Sequence, residues 1–346
     1  MDRKCCITTS HEFLKHDAGR GHPENPQRLE PLHAMLETEF ANIPRLVPKT
    51  ASDAQLLKTH SQEMVRKILD HKGKSGWIDP DTFYCEESTD VALLAAGSCI
   101  DAALRIWNGE FHRGFCFVRP PGHHATPSKA MGFCLFNNIA LAVQAVLAEK
   151  PQARLAVVDF DLHHGNGTQD AFFSNENVLF ISSHRYPYYP GTGNYEEIGS
   201  GKARGTKVNF PLGQRYGDEL FLDLYGSMVV PMLKEFNPEM IFVSAGFDGH
   251  QNDPMQGFQI STEGYEQLAR QLLQAAEPQG KILFCLEGGY DPIALRDSVR
   301  AVLWEMNGMN LETNVMTSNT ATVVTTANTA TVDLFRNYFR TFFRSL

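Results

Sequence analysis

The sequence predicts an α/β fold with a mainly parallel sheet covered by helices on both faces. Short runs of β-branched and aromatic residues recur along the chain, apolar on both faces as doubly covered strands must be, and amphipathic segments separate most of them. Three of these runs end abruptly in polar residues, as in "VVDFDLHHG", "VSAGFDGH" and "FCLEGGYD". In open α/β sheets ligands sit beyond the carboxyl ends of the strands, so these ends converge on one rim.

The elements follow in chain order. "CCITT" at 5–9 opens the strands, and the amphipathic stretch 90–107 predicts a helix before the strand "GFCFV" at 114–118. "RLAVVD" at 154–159, "VLFISS" at 178–183 and "TKVNF" at 206–210 read as further strands. A single helix over 218–236 then leads to the strands "MIFVSAG" at 240–246 and "KILFCLEGG" at 281–289. No Pro/Gly/Ser-rich linker interrupts residues 1–312, which predicts one domain. Residues 313–332 are Thr/Asn-rich, with "NTATV" twice at a nine-residue period, too few copies for a solenoid, and read as a connecting segment. Residues 333–346 read as an amphipathic C-terminal helix. Leu334, Phe335, Tyr338, Phe339, Phe342, Phe343 and Leu346 fall on one face, opposite Arg336, Arg340 and Arg344. Docking of the aromatic face on the body is the expectation, with a homo-oligomer contact and in-plane membrane binding as competitors.

Composition narrows the function classes. A net charge of −9 argues against nucleic acid as the main partner, because phosphate binding needs clustered Lys and Arg. Seven cysteines without a CxxC pair fit a reducing compartment better than a disulfide framework. The N-terminus has no apolar core of a signal peptide, and no apolar stretch is long enough to span a bilayer, so the expected location is cytoplasmic, without stable membrane insertion.

The chemistry lies at the strand ends. Asp161 and His163 alternate to the same side of an extended chain and can bind one divalent ion, with Asp248 as the third ligand from another strand end. Two carboxylates and one imidazole suit Zn²⁺ with an open position. Asp159 lies one step deeper, placed to orient a histidine. In "RPPGHHATPSKAMGFCLFNN", His123 and His124 are candidates for general acid and base, with Asp159 as one imidazole's partner and Asn166 as the other's. A carboxylate partner favours a cationic histidine; an amide leaves its neighbour neutral and able to act as a base. Tyr290, after two glycines in "LEGGY", can donate to an oxyanion. Gly132, Phe133, Tyr188 and Tyr189 can wall a channel for an unbranched chain.

"GHPENPQRL" at 21–29, "RPPGHHA", "GFCLFNN", "VVDFDLHHGNGTQD", "YPGTG", "SAGFDGHQNDP" and "LEGGYD" resemble, in order and spacing, the histone deacetylase superfamily, which includes acetylpolyamine amidohydrolases. The resemblance covers about residues 5–308, and its "HHGNG" and "LEGGY" forms are similar to class II and bacterial members. It implies an arginase/deacetylase-like three-layer α/β/α sandwich and one zinc per chain at Asp161, His163 and Asp248. His124 is implied as general base and acid, His123 as its electrostatic partner and Tyr290 as oxyanion donor. Gly132, Phe133, Tyr189, Met255 and Gly288 are the implied substrate-binding positions, and Arg28 the implied lining of a product channel. Structural potassium is implied at Asp159, Asp161, His163, Ser182 and Ser183, and a peripheral potassium near Phe172, Asn175, Val178 and Thr206. The motif "GFDGHQNDP" lacks the paired acids of a binuclear arginase site.

The expected function is zinc-dependent removal of acetyl, or a related small acyl group, from lysine side chains of proteins. An acetylpolyamine deacetylase is the alternative: Met255 stands where a polyamine-selective relative has a glutamate, yet Asp79, Asp81, Glu86 and Glu87 can supply acidity from another loop. A non-catalytic acyl-lysine binding module is the alternative from another class, against which Tyr290 speaks.

Overall fold

The computed structural model describes residues 4–19, 21–308 and 326–346, the last without the side chains of 326 and 327. Its strands are β1 (Cys5–Thr8), β2 (Arg45–Leu46), β3 (Gly76–Trp77), β4 (Phe83–Tyr84), β5 (Arg113–Cys116), β6 (Leu155–Asp159), β7 (Val178–Arg185), β8 (Lys207–Leu212), β9 (Met240–Ala245) and β10 (Ile282–Leu286). Eight of them form one sheet in the order β2-β1-β5-β10-β9-β6-β7-β8, every pairing parallel. Each apolar run of the sequence is a strand of this sheet. Strands β2, β3 and β4 are two residues each, too short to leave a periodicity in the sequence.

Every residue of β6, β9 and β10 is buried, which is why these strands carry apolar residues on both faces. The helix Ser88–Trp107 packs on Asn138–Glu149, and Thr262–Ala275 packs on Pro292–Asn307. Capping fixes the two helices that start at the rim. Asn137 Oδ1 accepts the Ala140 N–H at 2.9 Å, and Asp291 Oδ1 accepts those of Ile293 and Ala294 at 3.0 and 2.7 Å.

Residues 218–236 depart from the expected single helix. Two α-helical pieces, Asp218–Leu224 and Val230–Phe236, flank a π-helical turn at Tyr225–Val229. Pro231 has no N–H for the carbonyl four residues back, Ser227, and the widened turn lies where that bond is missing.

The C-terminal helix spans Thr326–Phe339, so it starts before the expected boundary at 333 and stops short of residue 346. The expected connecting segment therefore shares residues 326–332 with this helix, and its part up to 325 lies outside the described residues. Val332, Phe335, Phe339 and Phe343 are buried on the body, with the Phe335 and Phe339 rings 5.2 and 5.7 Å from Phe210 of β8. Leu334, placed on the apolar face by its spacing, is 58% exposed. Glu235 accepts the backbone N–H groups of Arg344 and Ser345 at 3.0 and 2.7 Å and fixes the end of the chain. Among the described residues no helix is long and apolar enough to cross a membrane, and no disulfide joins the cysteines.

Candidate active site and metal centre

The chain leaves β6 extended, so Asp159, Asp161 and His163 alternate, each acid accepting the N–H two residues on. Asp159 Oδ1 takes that of Asp161 at 3.1 Å and Asp161 Oδ1 that of His163 at 2.8 Å. Asp248, after β9, reaches the same point: its Oδ1 accepts the Leu162 N–H at 2.9 Å, while Asp161 Oδ2 accepts the Gly288 N–H at 3.0 Å. Ligand atoms of Asp161, His163 and Asp248 consequently lie within 4.8 Å of one another, all buried.

This set fits a divalent cation. His163 Nδ1 sits 3.1 Å from Asp161 Oδ1 and 2.9 Å from Asp248 Oδ2, yet Asp248 Oδ2 makes no well-formed hydrogen bond despite its burial. Two buried carboxylates without a counter-charge are costly, and here the imidazole carries it. Burial opposes that charge, but the hydrogen bonds and attraction of Asp161 and Asp248 prevail and raise the His163 pKa to about 9. A Cβ at Gly288 would come within 2.5 Å of Asp248 Oδ2 and 2.8 Å of Asp161 Oδ2, so glycine keeps the space beside both oxygens open.

The adjacent histidines come off the loop after β5. Glu287, following β10, accepts the N–H groups of Gly122 and His123 at 2.7 and 3.1 Å and sets the loop's direction. His123 Nδ1 lies 3.0 Å from Asp159 Oδ2, and His124 Nδ1 2.8 Å from Asn166 Oδ1. The two rings therefore differ in charge. Burial disfavours a cationic His123, but Asp161, Asp159 and Glu287 outweigh it and hold its pKa well above the usual value. Burial, reinforced by the charges on His123 and His163, holds His124 well below it. Asn166 Oδ1 can only accept, so the His124 proton sits on Nδ1 and Nε2 keeps its lone pair.

These groups open into a pocket of about 270 Å³ lined by His123, His124, His163, Gly132, Phe133, Tyr188, Tyr189, Met255, Gly288, Tyr290 and Asp81. Tyr189 meets the His124 ring edge to face at 5.0 Å, and Phe133 faces Tyr290 at 6.2 Å. Tyr188 stacks on His163 at 5.3 Å and carries the Arg185 guanidinium on its ring at 4.0 Å. Of the four acids expected near the mouth, Asp81 lines the pocket; Asp79 caps its own turn through the Asp81 and Thr82 N–H groups, and Glu86 and Glu87 are exposed.

Arg28 is fully buried. It donates to the carbonyls of Gly289 and Glu287 at 2.6 and 2.5 Å and to Glu24 at 3.0 Å, with its guanidinium 5.0 Å from the Tyr290 ring centre. Ser182 and Ser183 lie beside the site on β7, Asp159 being the register partner of Ser182. Their hydroxyls are engaged with His184 Nδ1 and the Tyr225 hydroxyl, each at 2.9 Å. At the peripheral group Phe172, Asn175, Val178 and Thr206, the Lys207 ammonium stands among the oxygens of Asn175, Val178 and Thr206.

Several working residues escape a reading by residue type. Glu287 positions His123. Glu24 ties Arg28 to Arg119, which donates to both of its oxygens. Asp253 accepts the Tyr290 N–H at 2.6 Å, with its own pKa raised to about 7 by burial and the neighbouring Asp248 charge. All lie inside the sequence motifs of the strand ends and of "GHPENPQRL", and the one signal they share is a charged residue next to Pro or Gly.

The histone deacetylase domain family matches residues 22–306. A probable deacetylase of Archaeoglobus fulgidus is 40% identical over 290 residues, 82% of this chain and 80% of the relative. Histone deacetylase 5 of Arabidopsis thaliana is 37% identical over 310 residues, 84% of this chain but 47% of that protein; the chain thus spans about half of this longer relative. The crystal structure of the HDA15 HD domain superposes with a TM-score of 0.91 at 33% identity, over 100% of this chain and 96% of that one.

Proposed function

The chain belongs to the histone deacetylase family, its relatives support deacetylase chemistry, and on that premise we propose that it is a zinc-dependent hydrolase removing acetyl, or a related small acyl group, from lysine side chains of proteins. The observation that carries the reading is the convergence of a neutral, Asn-paired His124 and the Asp161–His163–Asp248 set on one narrow pocket that also holds Tyr290. Zinc held by those three residues would supply a Lewis acid that polarises the acyl carbonyl and lowers the pKa of water.

The remaining roles belong to the chain. Phe133 and Tyr189 confine an extended alkyl chain and exclude water around it. Nε2 of His124 takes the proton of the water attacking the acyl carbon, and Asn166 keeps the ring in that tautomer. His123, cationic beside Asp159, stabilises the negative charge that develops. The Tyr290 hydroxyl donates to the oxygen that becomes an oxyanion, and His124 returns its proton to the departing amine. Arg28 holds the backbone before Tyr290, and a product-channel role for it belongs to this proposal. An inner potassium at Asp159, Asp161, His163, Ser182 and Ser183 rests on the adjacency of those residues.

Asp81 in the lining favours one second reading, a substrate whose far end is cationic, as in an acetylated polyamine. Turnover by the zinc-loaded protein of an acetyl-lysine peptide and of N-acetylputrescine or N-acetylspermidine, compared as kcat/KM, tests both. Preference for the peptide supports the protein deacetylase; preference for the polyamine moves selectivity to Asp81. No turnover of either by zinc-loaded protein overturns the acetyl reading.

A further inference from the structure

Lys207, the first residue of β8, is fully buried. Its Nζ donates to the Val178 carbonyl and to Thr206 Oγ1, both at 2.7 Å, and lies 3.2 Å from the Asn175 carbonyl and 3.3 Å from that of Thr206. Thr206 Oγ1 gives its own proton to the Ala203 carbonyl at 2.7 Å, so it faces Lys207 as an acceptor. Among the described residues no carboxylate pairs with this ammonium. Burial pulls its pKa down to about 7, and the four neutral oxygens around Nζ stand in for part of the hydration it has lost.

A cage of neutral oxygens without a counter-charge is also what a monovalent metal ion requires. Three of these residues, Asn175, Val178 and Thr206, belong to the group for which the family resemblance implies a peripheral potassium. Potassium does not fit there alongside the ammonium, because two cations within a few ångströms in a buried site repel strongly. We propose that Lys207 is the resident cation of this cage, so that the chain ties the 172–178 segment to β8 with a tethered ammonium and binds no monovalent ion at this place.

The position gives the tether a consequence. The caged segment follows the helix Asn166–Phe172, whose first residue holds His124, and the Phe172 carbonyl accepts the Asn175 N–H at 2.9 Å. Lys207 therefore anchors the far end of the element that orients this imidazole.

Thallium(I), a potassium stand-in with strong anomalous scattering, tests the proposal on crystals of the full chain. The wild type is expected to show no thallium beside the Val178 carbonyl, and a peak there overturns the proposal. Thermal unfolding in potassium chloride and in choline chloride at equal ionic strength gives the second readout, for the wild type, Lys207→Met and Lys207→Ser. Lys207→Met keeps the bulk without the charge; it should melt several degrees lower with no added response to potassium. Lys207→Ser opens the cage and should gain a potassium-dependent rise in Tm beyond that of the wild type. Any response from an inner site is common to all three and cancels in the difference. Equal potassium responses of the wild type and Lys207→Ser overturn the proposal, and if Lys207→Ser does not fold, the thallium measurement on the wild type decides.

Discussion

Two places in this molecule surround a positive charge with buried oxygen, and they do it in opposite ways. Beyond β6 and β9 the donors are anionic: Asp161 and Asp248 converge with His163, and Asp248 Oδ2 is left without a well-formed hydrogen bond. At the start of β8 the surrounding oxygens are those of carbonyls and a hydroxyl, all accepting, and the cation is covalently part of the chain. Two carboxylates are costly to bury without a divalent ion or a proton between them, whereas neutral oxygens balance a single charge without excess. The charge of the donors thus separates a centre built for an exchangeable reagent from one built as a fixture. The same edge of the sheet carries a second fixture, the aromatic face of the C-terminal helix packed on Phe210.

The sharpest way to break this contrast is to make the rim behave like a fixture. Asp248→Asn removes one anionic donor, so bound zinc and turnover should fall together, with kcat lower by on the order of 10³-fold or more; a variant with undiminished zinc content and turnover would remove Asp248 from the centre. At the other region, Phe339→Ala deletes a fully buried ring and should cost about 3–5 kcal/mol of stability, measured by denaturant unfolding, while kcat of the folded fraction stays near the wild type. A large loss of kcat in folded protein would show that the helix serves the site and not the edge. Tyr290→Phe should cost about 2.7–4 kcal/mol of transition-state stabilisation, seen as a drop in kcat of about 10²–10³-fold with KM little changed. Near-normal turnover would take the oxyanion role from Tyr290.

The same contrast explains what the sequence could disclose. The long strands were legible because a strand covered on both faces must be continuously apolar, and "LAVVD" and "FVSA" admit few other readings. The trio Asp161, His163 and Asp248 was legible because it stands where such strands stop. Lys207 was not: it follows Thr206 in "TKVNF", and a lysine opening a strand normally means an edge turned to water. Its burial depends on carbonyl oxygens 29 and 32 residues earlier in the chain, which no side-chain pattern records. Glu287 and Asp253 escaped for a related reason, since both act on backbone N–H groups of distant loops. The break at 225–229 was hidden inside an amphipathic pattern that runs across it. Leu334 fell on the apolar stripe by spacing alone, and among the described residues it stays 58% exposed.

The finest comparison lies within the rim, between two histidines whose rings are 4.0 Å apart. One has a carboxylate partner and is held cationic, the other an amide and is held neutral. Asn166→Asp makes the partners alike with little change in shape. A carboxylate beside Nδ1 favours the imidazolium and should raise the His124 pKa. A base must be neutral to accept a proton, so activity is lost as pH falls through this pKa, and raising the pKa moves that loss to higher pH. The acid limb of kcat/KM should therefore shift upward in the variant, with the largest deficit below neutrality and a small one well above it. Zinc content measured on the same samples separates this effect from a disturbed metal centre. An acid limb that stays in place while zinc is retained would mean that the Asn166 amide does not set the charge of His124, and that burial and the neighbouring cations do so alone.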